Sequence, residues 1–239
     1  MTRLILLPGL AADETMWEAQ VPALAPWAPI VADVHAQPHE TIEAMAAALL
    51  VTHEGPLVLC GASMGGMIAM EAARQAPQRI TGLALLGTSA RPETPDMRKL
   101  REGAIELFAQ GRVAEVIEPN VAFAFHPDQA RDAVLVRSYI DFVLRAGADQ
   151  LIRQNRAVIV RPDARTHLAA VRCPTLVMCG DSDQLAPPEC SLEIAALVPG
   201  AQLKWVPRCG HMLTMERPDV VNAELVAWLE SLSLKSLKT

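Results

Sequence analysis

The feature that most constrains the fold is an alternation between short apolar runs and longer stretches with helical periodicity. The short runs are bounded by turn-forming residues, which predicts β-strands at Leu4–Leu7, Ile30–Val34, Leu57–Cys60, Gly82–Leu86, Thr175–Cys179 and Gln202–Val206. Helical patterns occur at Asp13–Leu24, Thr41–His53, Met67–Ala76, Pro188–Leu197 and Pro218–Leu229. Strands that alternate with helices predict right-handed crossovers and a mainly parallel sheet, with helices covering both faces.

The alternation is interrupted once, between residues 91 and 166. This stretch contains no convincing strand pair, and its amphipathic segments predict helices at Asp96–Gln110, Asp128–Ala146 and Gln150–Ile159. No internal repeat or flexible linker marks a second independent domain. We therefore expect one α/β core, formed by residues 1–90 and 167–239, with residues 91–166 inserted as a helical cap.

Composition excludes several classes of protein. Of the 239 residues, 51% are hydrophobic and 20% are charged, which is enough apolar material for a packed interior. The net charge of −6 disfavours a nucleic-acid partner. No stretch reaches the roughly 18 apolar residues of a membrane helix, and the apolar run near the N-terminus fits a first strand better than an export signal. We expect a cytoplasmic protein whose five cysteines are free thiols.

One glycine-rich segment predicts a nucleophile. Gly61-Ala62-Ser63-Met64-Gly65-Gly66 follows a buried strand directly and precedes a helix. A strand that turns into a helix over one residue strains Ser63 and brings residues 61 and 65 so close that side chains there would collide. The first N–H groups of the helix then face the space beside the serine Oγ and favour negative charge there. The pattern predicts a reactive serine at the carboxyl edge of the sheet.

Candidate acids and bases lie after later strands. A serine hydroxyl needs a base to accept its proton and a carboxylate to orient that base. Of the six histidines, only His211 directly follows a strand near the C-terminus, and Gly210 lets its loop bend back over the sheet. The strand that ends at Cys179 is followed by two carboxylates, Asp181 and Asp183, and their positions alone leave the choice between them open.

The loop after the first strand is a candidate for the part of a serine-nucleophile site that stabilises negative charge on the substrate. It reads Leu7-Pro8-Gly9-Leu10-Ala11, in which Gly9 permits a close approach of the backbone. We expect the backbone N–H groups of Leu10 and Met64 to form an oxyanion hole. An ordinary turn between a strand and a helix would contain the same residues, so this assignment depends on the nucleophile, the acid and the base.

Taken together, these pieces resemble the small bacterial α/β-hydrolases, such as carboxylesterases and pimeloyl carrier-protein methyl ester esterases. The resemblance covers nearly the whole chain outside the helical insertion. It rests on the motifs Pro8-Gly9 with Trp17, Gly61-Ala62-Ser63-Met64-Gly65-Gly66, Gly180-Asp181-Ser182-Asp183 with Pro187, and Gly210-His211 with Glu216-Arg217-Pro218. It implies an α/β-hydrolase fold with about six strands, and it selects Asp183 as the acid.

The chain departs from the pattern of these hydrolases at two places. They usually have a histidine before the oxyanion glycine, where this chain has Pro8. Their glycine-rich segment after the next strand is replaced here by residues 32–38. Because an oxyanion hole uses backbone donors, the first departure is compatible with function.

The resemblance implies a serine hydrolase that cleaves carboxylic esters with a triad of Ser63, Asp183 and His211. The expected substrate is a small ester, and no metal or cofactor is needed. Candidate apolar residues for the substrate pocket are Leu10, Met64, Phe123, Phe125 and Met212. The same triad also serves thioester hydrolysis, C–C bond hydrolysis, perhydrolysis and acyl transfer, and a non-enzymatic ligand receptor or a structural protein built on this scaffold is a further alternative.

The predicted cap is more basic than the rest of the chain. Residues 91–172 hold 13 Lys and Arg against 11 Asp and Glu. Its arginines are therefore candidates to guide an anionic acyl group, an acyl carrier protein or a coenzyme A thioester; they are Arg98, Arg101, Arg137, Arg145, Arg153 and Arg156. Pairing with nearby acidic residues on solvated helix faces is the simpler interpretation of most of them.

Overall fold

A six-stranded parallel sheet forms the centre of the molecule in the computed structural model, which describes residues 2–33 and 35–236. The strands are β1 (Arg3–Leu7), β2 (Ile30–Val31), β3 (Leu57–Ala62), β4 (Ile80–Leu86), β5 (Thr175–Gly180) and β6 (Gln202–Val206). Their order is β2-β1-β3-β4-β5-β6, and every adjacent pair is parallel. The predicted six-stranded sheet of an α/β fold is confirmed.

Helices cover the sheet and fill the segment between β4 and β5. They are α1 (Gln20–Ala23), α2 (Ile42–Thr52), α3 (Met64–Gln75), α4 (Pro95–Ala109), α5 (Val113–Ala124), α6 (Ala133–Ile159), α7 (Arg165–Leu168), α8 (Pro188–Leu197), α9 (Leu213–Glu216) and α10 (Pro218–Ser236). Helices α4, α5 and α6 lie in the segment that the sequence predicts to be helical. In the described part of the chain, no helix combines the length and apolar composition of a membrane span, and all five cysteines are free thiols.

Two hydrophobic clusters pack against opposite faces of the sheet. In β1, Leu4 and Leu6 belong to the cluster that includes α10 and the helices between β4 and β5, whereas Ile5 and Leu7 belong to the cluster with α2, α3 and α8. Successive side chains of a strand point to opposite faces. Both faces are therefore buried, which explains why the strands are apolar throughout.

Strand limits agree with the sequence prediction to within two residues, except for β2. The predicted strand Ile30–Val34 ends at Val31, because only Ile30 and Val31 pair with β1 at the edge of the sheet. One more bond, from the Ala32 N–H to the Leu6 carbonyl, follows this pairing. Val34 lies outside the described residues.

The predicted helix Asp13–Leu24 is wrong as a single element. Asp13 caps a short 3-10 turn at Glu14–Trp17, and α1 begins only afterwards. Pro22 has no N–H to donate to the preceding turn, which prevents a continuous helix. Helix α3 begins at Met64 rather than Met67, because the chain becomes helical directly after Ser63.

The region between β4 and β5 contains two helices that the sequence analysis missed, α5 and the four-residue α7. Helix α5 includes Pro119, which disfavours a helix interior, and packing of Ile117 into the hydrophobic cluster shared with α6 compensates for it. Helix α6 begins at Ala133 rather than Asp128, because Asp132 caps its first turn. Gly147, with φ of 74°, breaks α6 between the two helices predicted there. Helix α10 continues past the predicted end at Leu229.

Candidate active site

Ser63 is the single residue between β3 and α3, and its backbone is strained. Its φ of 53° and ψ of −117° lie in a region that residues with a side chain rarely adopt. The Ser63 N–H donates to the Leu86 carbonyl at 2.9 Å, and the Ser63 carbonyl accepts from Thr88 Oγ1 at 2.7 Å. Strand β4 and the loop after it therefore hold the serine in this conformation.

The glycines around Ser63 are required by close backbone contacts. A Cβ atom on Gly61 would overlap the Gly65 carbonyl, and one on Gly65 would overlap the Leu7 carbonyl. A Cβ on Gly66 would lie 2.7 Å from the Thr88 side chain. The backbone can make the sharp turn only because these positions lack side chains.

Three side chains from distant parts of the sequence form one hydrogen-bonded row. His211 Nε2 lies 2.9 Å from Ser63 Oγ, and His211 Nδ1 lies 2.9 and 3.0 Å from the two carboxylate oxygens of Asp183. A carboxylate can only accept, so the proton of the neutral imidazole is on Nδ1, and Nε2 accepts the hydrogen bond of the Ser63 hydroxyl. This arrangement can take a proton from the serine when an electrophile is attacked.

The Asp183 carboxylate is fixed by its own loop. Its side chain is fully buried, and Oδ1 accepts hydrogen bonds from the N–H groups of Leu185 and Ala186, both at 2.9 Å. Backbone donors of this kind satisfy the hydrogen-bonding capacity of a buried carboxylate oxygen. They also fix the direction in which the carboxylate meets His211.

Asp181, the alternative acid, has a different role in the structure. Its carboxylate accepts from the N–H groups of Arg208 at 3.0 Å and Cys209 at 3.3 Å. These residues belong to the loop between β6 and His211. Asp181 therefore joins the loop after β5 to the loop that carries the histidine, and only Asp183 contacts the imidazole.

Glu216, which the sequence analysis named in a motif but gave no role, supports the histidine loop from inside the protein. Its carboxylate accepts hydrogen bonds from the backbone N–H groups of Gly210 at 3.0 Å, Met212 at 3.1 Å and His126 at 2.8 Å. Burial raises the pKa of Glu216 above its usual value, although these three donors oppose the shift. The two donors from Gly210 and Met212 flank His211, so Glu216 fixes the backbone on both sides of the imidazole.

Replacing Glu216 with glutamine is expected to lower the free energy of unfolding by about 1–3 kcal/mol, because an amide nitrogen would face backbone donors that then lose their acceptor. The measurement is chemical or thermal unfolding of both proteins. The matched control is Glu224→Gln, which removes a partly exposed ion pair with Lys204 and should cost at most about 1 kcal/mol. Equal losses in the two variants would contradict the structural role of Glu216.

Nearby charges raise the pKa of His211. Burial by itself lowers this pKa, but the charge and hydrogen bond of Asp183 and the charge of Glu216 outweigh it, while the charge of Arg101 opposes them. The imidazolium form is thus stabilised relative to a free histidine. This favours a base that accepts a proton during the reaction and returns it later.

The loop after β1 lies against the serine. A Cβ atom on Gly9 would be 3.2 Å from the Ser63 Cβ. Within residues 2–33 and 35–236, neither the Leu10 N–H nor the Met64 N–H donates a hydrogen bond to a protein acceptor. Two backbone donors on either side of Ser63 are therefore available to a ligand, as an oxyanion hole requires.

A buried glutamine, also missed by the sequence analysis, holds this loop. The Ala11 N–H donates to Gln154 Oε1 at 2.7 Å, and Gln154 Nε2 donates to the His35 carbonyl at 2.9 Å. Burial lowers the pKa of His35, which favours the neutral ring, and its Nε2–H donates to the Ala12 carbonyl at 2.6 Å. Ala11 itself has a φ of 61°. Helix α6 therefore fixes a strained loop next to the serine.

The five residues suggested for an apolar pocket lie in different surroundings. Phe125 and Met212 are buried in the cluster that includes the inserted helices, whereas Met64 belongs to the cluster on the other face of the sheet. Leu10 is partly buried between the two clusters, and Phe123 is half exposed. The structure thus places Phe125, Met212 and Leu10 at one cluster and Met64 in the other, and the role of all five residues in substrate binding stays a prediction.

The fold and the sequence match known proteins over nearly the whole chain. A family model described as the alpha/beta hydrolase fold matches residues 2–218. A thermophilic esterase from Thermogutta terrifontis is similar in structure, with a TM-score of 0.86 and 28% sequence identity, covering 97% of this chain and 90% of the esterase.

Two curated relatives extend the comparison. A protein of Caulobacter sp. (strain K31) named as the carbamate hydrolase RutD is 24% identical over 94% of this chain and 89% of its own length. The dihydrolipoyllysine-residue acetyltransferase component of an acetoin cleaving system from Pseudomonas putida is 27% identical over 95% of this chain. The chain spans 63% of that second relative, which is less than two thirds of it.

Proposed function

The chain belongs to the α/β-hydrolase fold family, and we propose that it hydrolyses carboxylic esters with Ser63 as nucleophile, His211 as general base and Asp183 as the carboxylate that orients it. The observation that carries the proposal is the hydrogen-bonded row from Ser63 Oγ through His211 to Asp183. Its position at the carboxyl edge of a parallel sheet, directly before a helix, supports the same conclusion.

The reaction begins with attack of Ser63 Oγ on the ester carbonyl carbon. His211 Nε2 takes the hydroxyl proton, and the imidazolium that forms is stabilised by Asp183. The carbonyl oxygen becomes an oxyanion, which accepts hydrogen bonds from the N–H groups of Leu10 and Met64. Both N–H groups are free to do so, because no acceptor in the described part of the chain occupies them.

Collapse of the tetrahedral intermediate releases the alcohol and leaves an acyl-enzyme. His211 gives its proton to the departing alkoxide and then accepts a proton from a water molecule, which attacks the acyl carbon. The second intermediate collapses to the carboxylic acid and free Ser63. All proton transfers are carried out by these side chains and water, and the reaction as proposed uses no metal or cofactor.

We also propose that residues 91–166 act as a helical cap on the core formed by residues 1–90 and 167–239. Two contacts support this division. The Ala124 carbonyl, at the end of α5, accepts from the His211 N–H at 2.9 Å, and Gln154 of α6 binds the loop after β1. The inserted helices therefore contact both loops that border Ser63. The five free cysteines favour a cytoplasmic location.

Carbamate hydrolysis is a second candidate reaction. It is favoured by the similarity to RutD, which extends over 94% of this chain. A carbamate carbonyl is attacked by the same serine through the same type of tetrahedral intermediate, but its lower electrophilicity demands more from the oxyanion hole. Hydrolysis of thioesters of coenzyme A or an acyl carrier protein requires no additional group at Ser63 either.

A p-nitrophenyl acyl series from acetate to decanoate tests the proposal. Release of p-nitrophenolate measures turnover, and the chain length with the highest kcat/KM measures the size of the acyl site. A p-nitrophenyl N-alkylcarbamate and an acyl-coenzyme A thioester are assayed alongside the esters. The proposal is supported if the esters are turned over with a higher kcat/KM than the carbamate and the thioester. If only the carbamate or only the thioester is turned over, that reaction replaces ester hydrolysis as the proposed function.

The pH dependence of ester hydrolysis is expected to follow His211. The base must be neutral, so kcat/KM for an uncharged ester should fall about tenfold per pH unit below the pKa of His211. Asp183 and Glu216 raise the pKa of His211 by more than burial and Arg101 lower it. We therefore expect the midpoint of this acid limb to lie above the ordinary histidine pKa of 6.5. Initial rates from pH 5 to 9 measure it. A midpoint at or below 6.5 would contradict the electrostatic account.

A further inference from the structure

A cluster of three charged side chains in the segment 91–166 carries a net positive charge. Glu93 Oε2 lies 2.5 Å from Arg101 Nε and 2.9 Å from Arg161 Nη1. Only 3% of the Glu93 side chain is exposed, against 9% for Arg161 and 24% for Arg101. One carboxylate between two guanidinium groups leaves a charge of +1 in a largely buried place. Such a charge is costly unless an anion compensates it.

One nitrogen of the Arg101 guanidinium, Nη2, is a candidate donor to such an anion. Its Nε donates to Glu93 and its Nη1 donates to Asn155 Oδ1 at 2.9 Å. In the described part of the chain, Nη2 donates to no acceptor, and the Arg101 side chain as a whole is only partly buried. A guanidinium that is held at Nε and at Nη1 presents the N–H groups of Nη2 in a fixed direction, and these can donate to a carboxylate.

Helix α6 connects Arg101 to the loop beside Ser63. Asn155, which binds Arg101, directly follows Gln154, which binds the Ala11 N–H next to Leu10. Arg101 also acts on the base electrostatically, because its charge opposes the rise in the pKa of His211. Helix α6 thus holds both Arg101, through Asn155, and the loop next to Ser63, through Gln154.

Other arginines of the same region have different partners. Arg137 pairs with Asp141 and Arg145 with Asp13 on the surface. Arg98 and Arg153 donate to backbone carbonyls. Arg101 alone among these combines a largely buried ionic cluster with a contact to the helix that holds the loop beside Ser63.

We propose that Arg101 binds a carboxylate of the substrate, so that the preferred esters carry a free carboxylate in addition to the bond that is cleaved. The inference rests on the proposed ester hydrolysis at Ser63. Binding of the carboxylate neutralises the cluster of Glu93, Arg101 and Arg161 and holds the ester carbonyl beside the serine.

Matched ester pairs test this preference. Monomethyl succinate, glutarate and adipate are compared with methyl butyrate, pentanoate and hexanoate, in which a methyl group replaces the carboxylate of the acyl part. A second pair, 4-acetoxybutanoate and butyl acetate, places the carboxylate on the alcohol part. The rates are measured by acid release at a pH on the basic plateau. We expect the carboxylate ester of at least one pair to have the higher kcat/KM, by about tenfold or more.

The decisive variant is Arg101→Gln. Glu93 keeps its ion pair with Arg161 in this variant, so no carboxylate is left buried without a partner. We expect the ratio of kcat/KM between the carboxylate ester and its neutral partner to fall about 10- to 100-fold, because the variant loses a hydrogen bond between charged groups. Lys99→Gln, which removes an exposed charge from the same helix, is the control and should keep the wild-type ratio.

Two further readouts separate this inference from the proposed function. Calorimetric titration of Ser63→Ala with monomethyl glutarate and with 4-acetoxybutanoate should give saturable binding that the added Arg101→Gln change removes. In Arg101→Gln, the acid limb of kcat/KM should move to higher pH, because a charge that lowers the pKa of His211 is gone.

The combined outcomes are unambiguous. Binding that depends on Arg101 without turnover of any ester means that the proposed function fails and the carboxylate site stands. Ester turnover with equal rates within every pair, or with a preference that Arg101→Gln leaves intact, overturns the inference, as does an absence of binding that depends on Arg101.

Discussion

Replacing Ser63 with alanine is expected to lower kcat for p-nitrophenyl ester hydrolysis by about 10⁴-fold or more. Alanine keeps the Cβ but removes the only atom that can form the acyl-enzyme. His211 would lose the hydroxyl it contacts at 2.9 Å and keep its bonds to Asp183. The fold should be preserved, because the Ser63 hydroxyl makes no other hydrogen bond in the described part of the chain.

Steady-state kinetics on the optimal acyl chain measure the loss, and thermal unfolding verifies the fold. Ser182→Ala is the matched control, because Ser182 lies on the loop of Asp183 and, among the residues that the structure describes, its hydroxyl bonds only to Asp181. The control should retain wild-type kcat to within about threefold, as expected for a surface change. Turnover of Ser63→Ala at a rate close to wild type would exclude the proposed nucleophile.

Replacing Asp183 with asparagine should lower kcat by a comparable amount, about 10⁴-fold. The amide group has nearly the shape of the carboxylate, but its NH₂ can donate to Nδ1 and favour the tautomer with the proton on Nε2. That tautomer cannot accept the proton of Ser63. The charge that stabilises the imidazolium is lost as well.

Asp181→Asn is the control for this variant, because it changes the other carboxylate of the same loop. Asp181 binds the backbone of Arg208 and Cys209, so the substitution should reduce the free energy of unfolding by about 1 kcal/mol and kcat by less than tenfold. Kinetics and unfolding of both variants measure the difference. A greater loss of kcat in Asp181→Asn than in Asp183→Asn would contradict the assignment and make Asp181 the acid that orients His211.

Patterns that act over a few residues predicted most of the sheet. The apolar strands follow from burial on both faces, and their limits were within two residues except at β2, an edge strand with only two paired residues. The turn around Ser63 was also predictable, because Gly61, Gly65 and Gly66 are required by contacts within the motif or with adjacent strands. Local sequence carries such constraints directly.

The remaining features could not be predicted from local sequence, because they depend on contacts between residues that are distant along the chain. Asp181 and Asp183 are two residues apart in one loop, so their local sequence does not distinguish them; the family resemblance selected Asp183, and the folded position of His211 shows which of the two meets the imidazole. Glu216 binds the N–H of His126, and Gln154 binds that of Ala11; neither partner is near in sequence. A buried acid or amide at such a position has no local signature, because its role is to accept from backbone of other segments. Helix α5 was missed for a similar reason, since tertiary packing overrides Pro119.

The most direct test of the central claim is covalent trapping of the nucleophile. The protein is treated with diisopropyl fluorophosphate, digested and mapped by mass spectrometry, with Ser63→Ala treated in parallel. We predict one adduct per chain, on Ser63, that forms as fast as esterase activity disappears and is absent from the variant. Labelling at a different residue with loss of activity, or full activity after Ser63 is modified, would contradict the account.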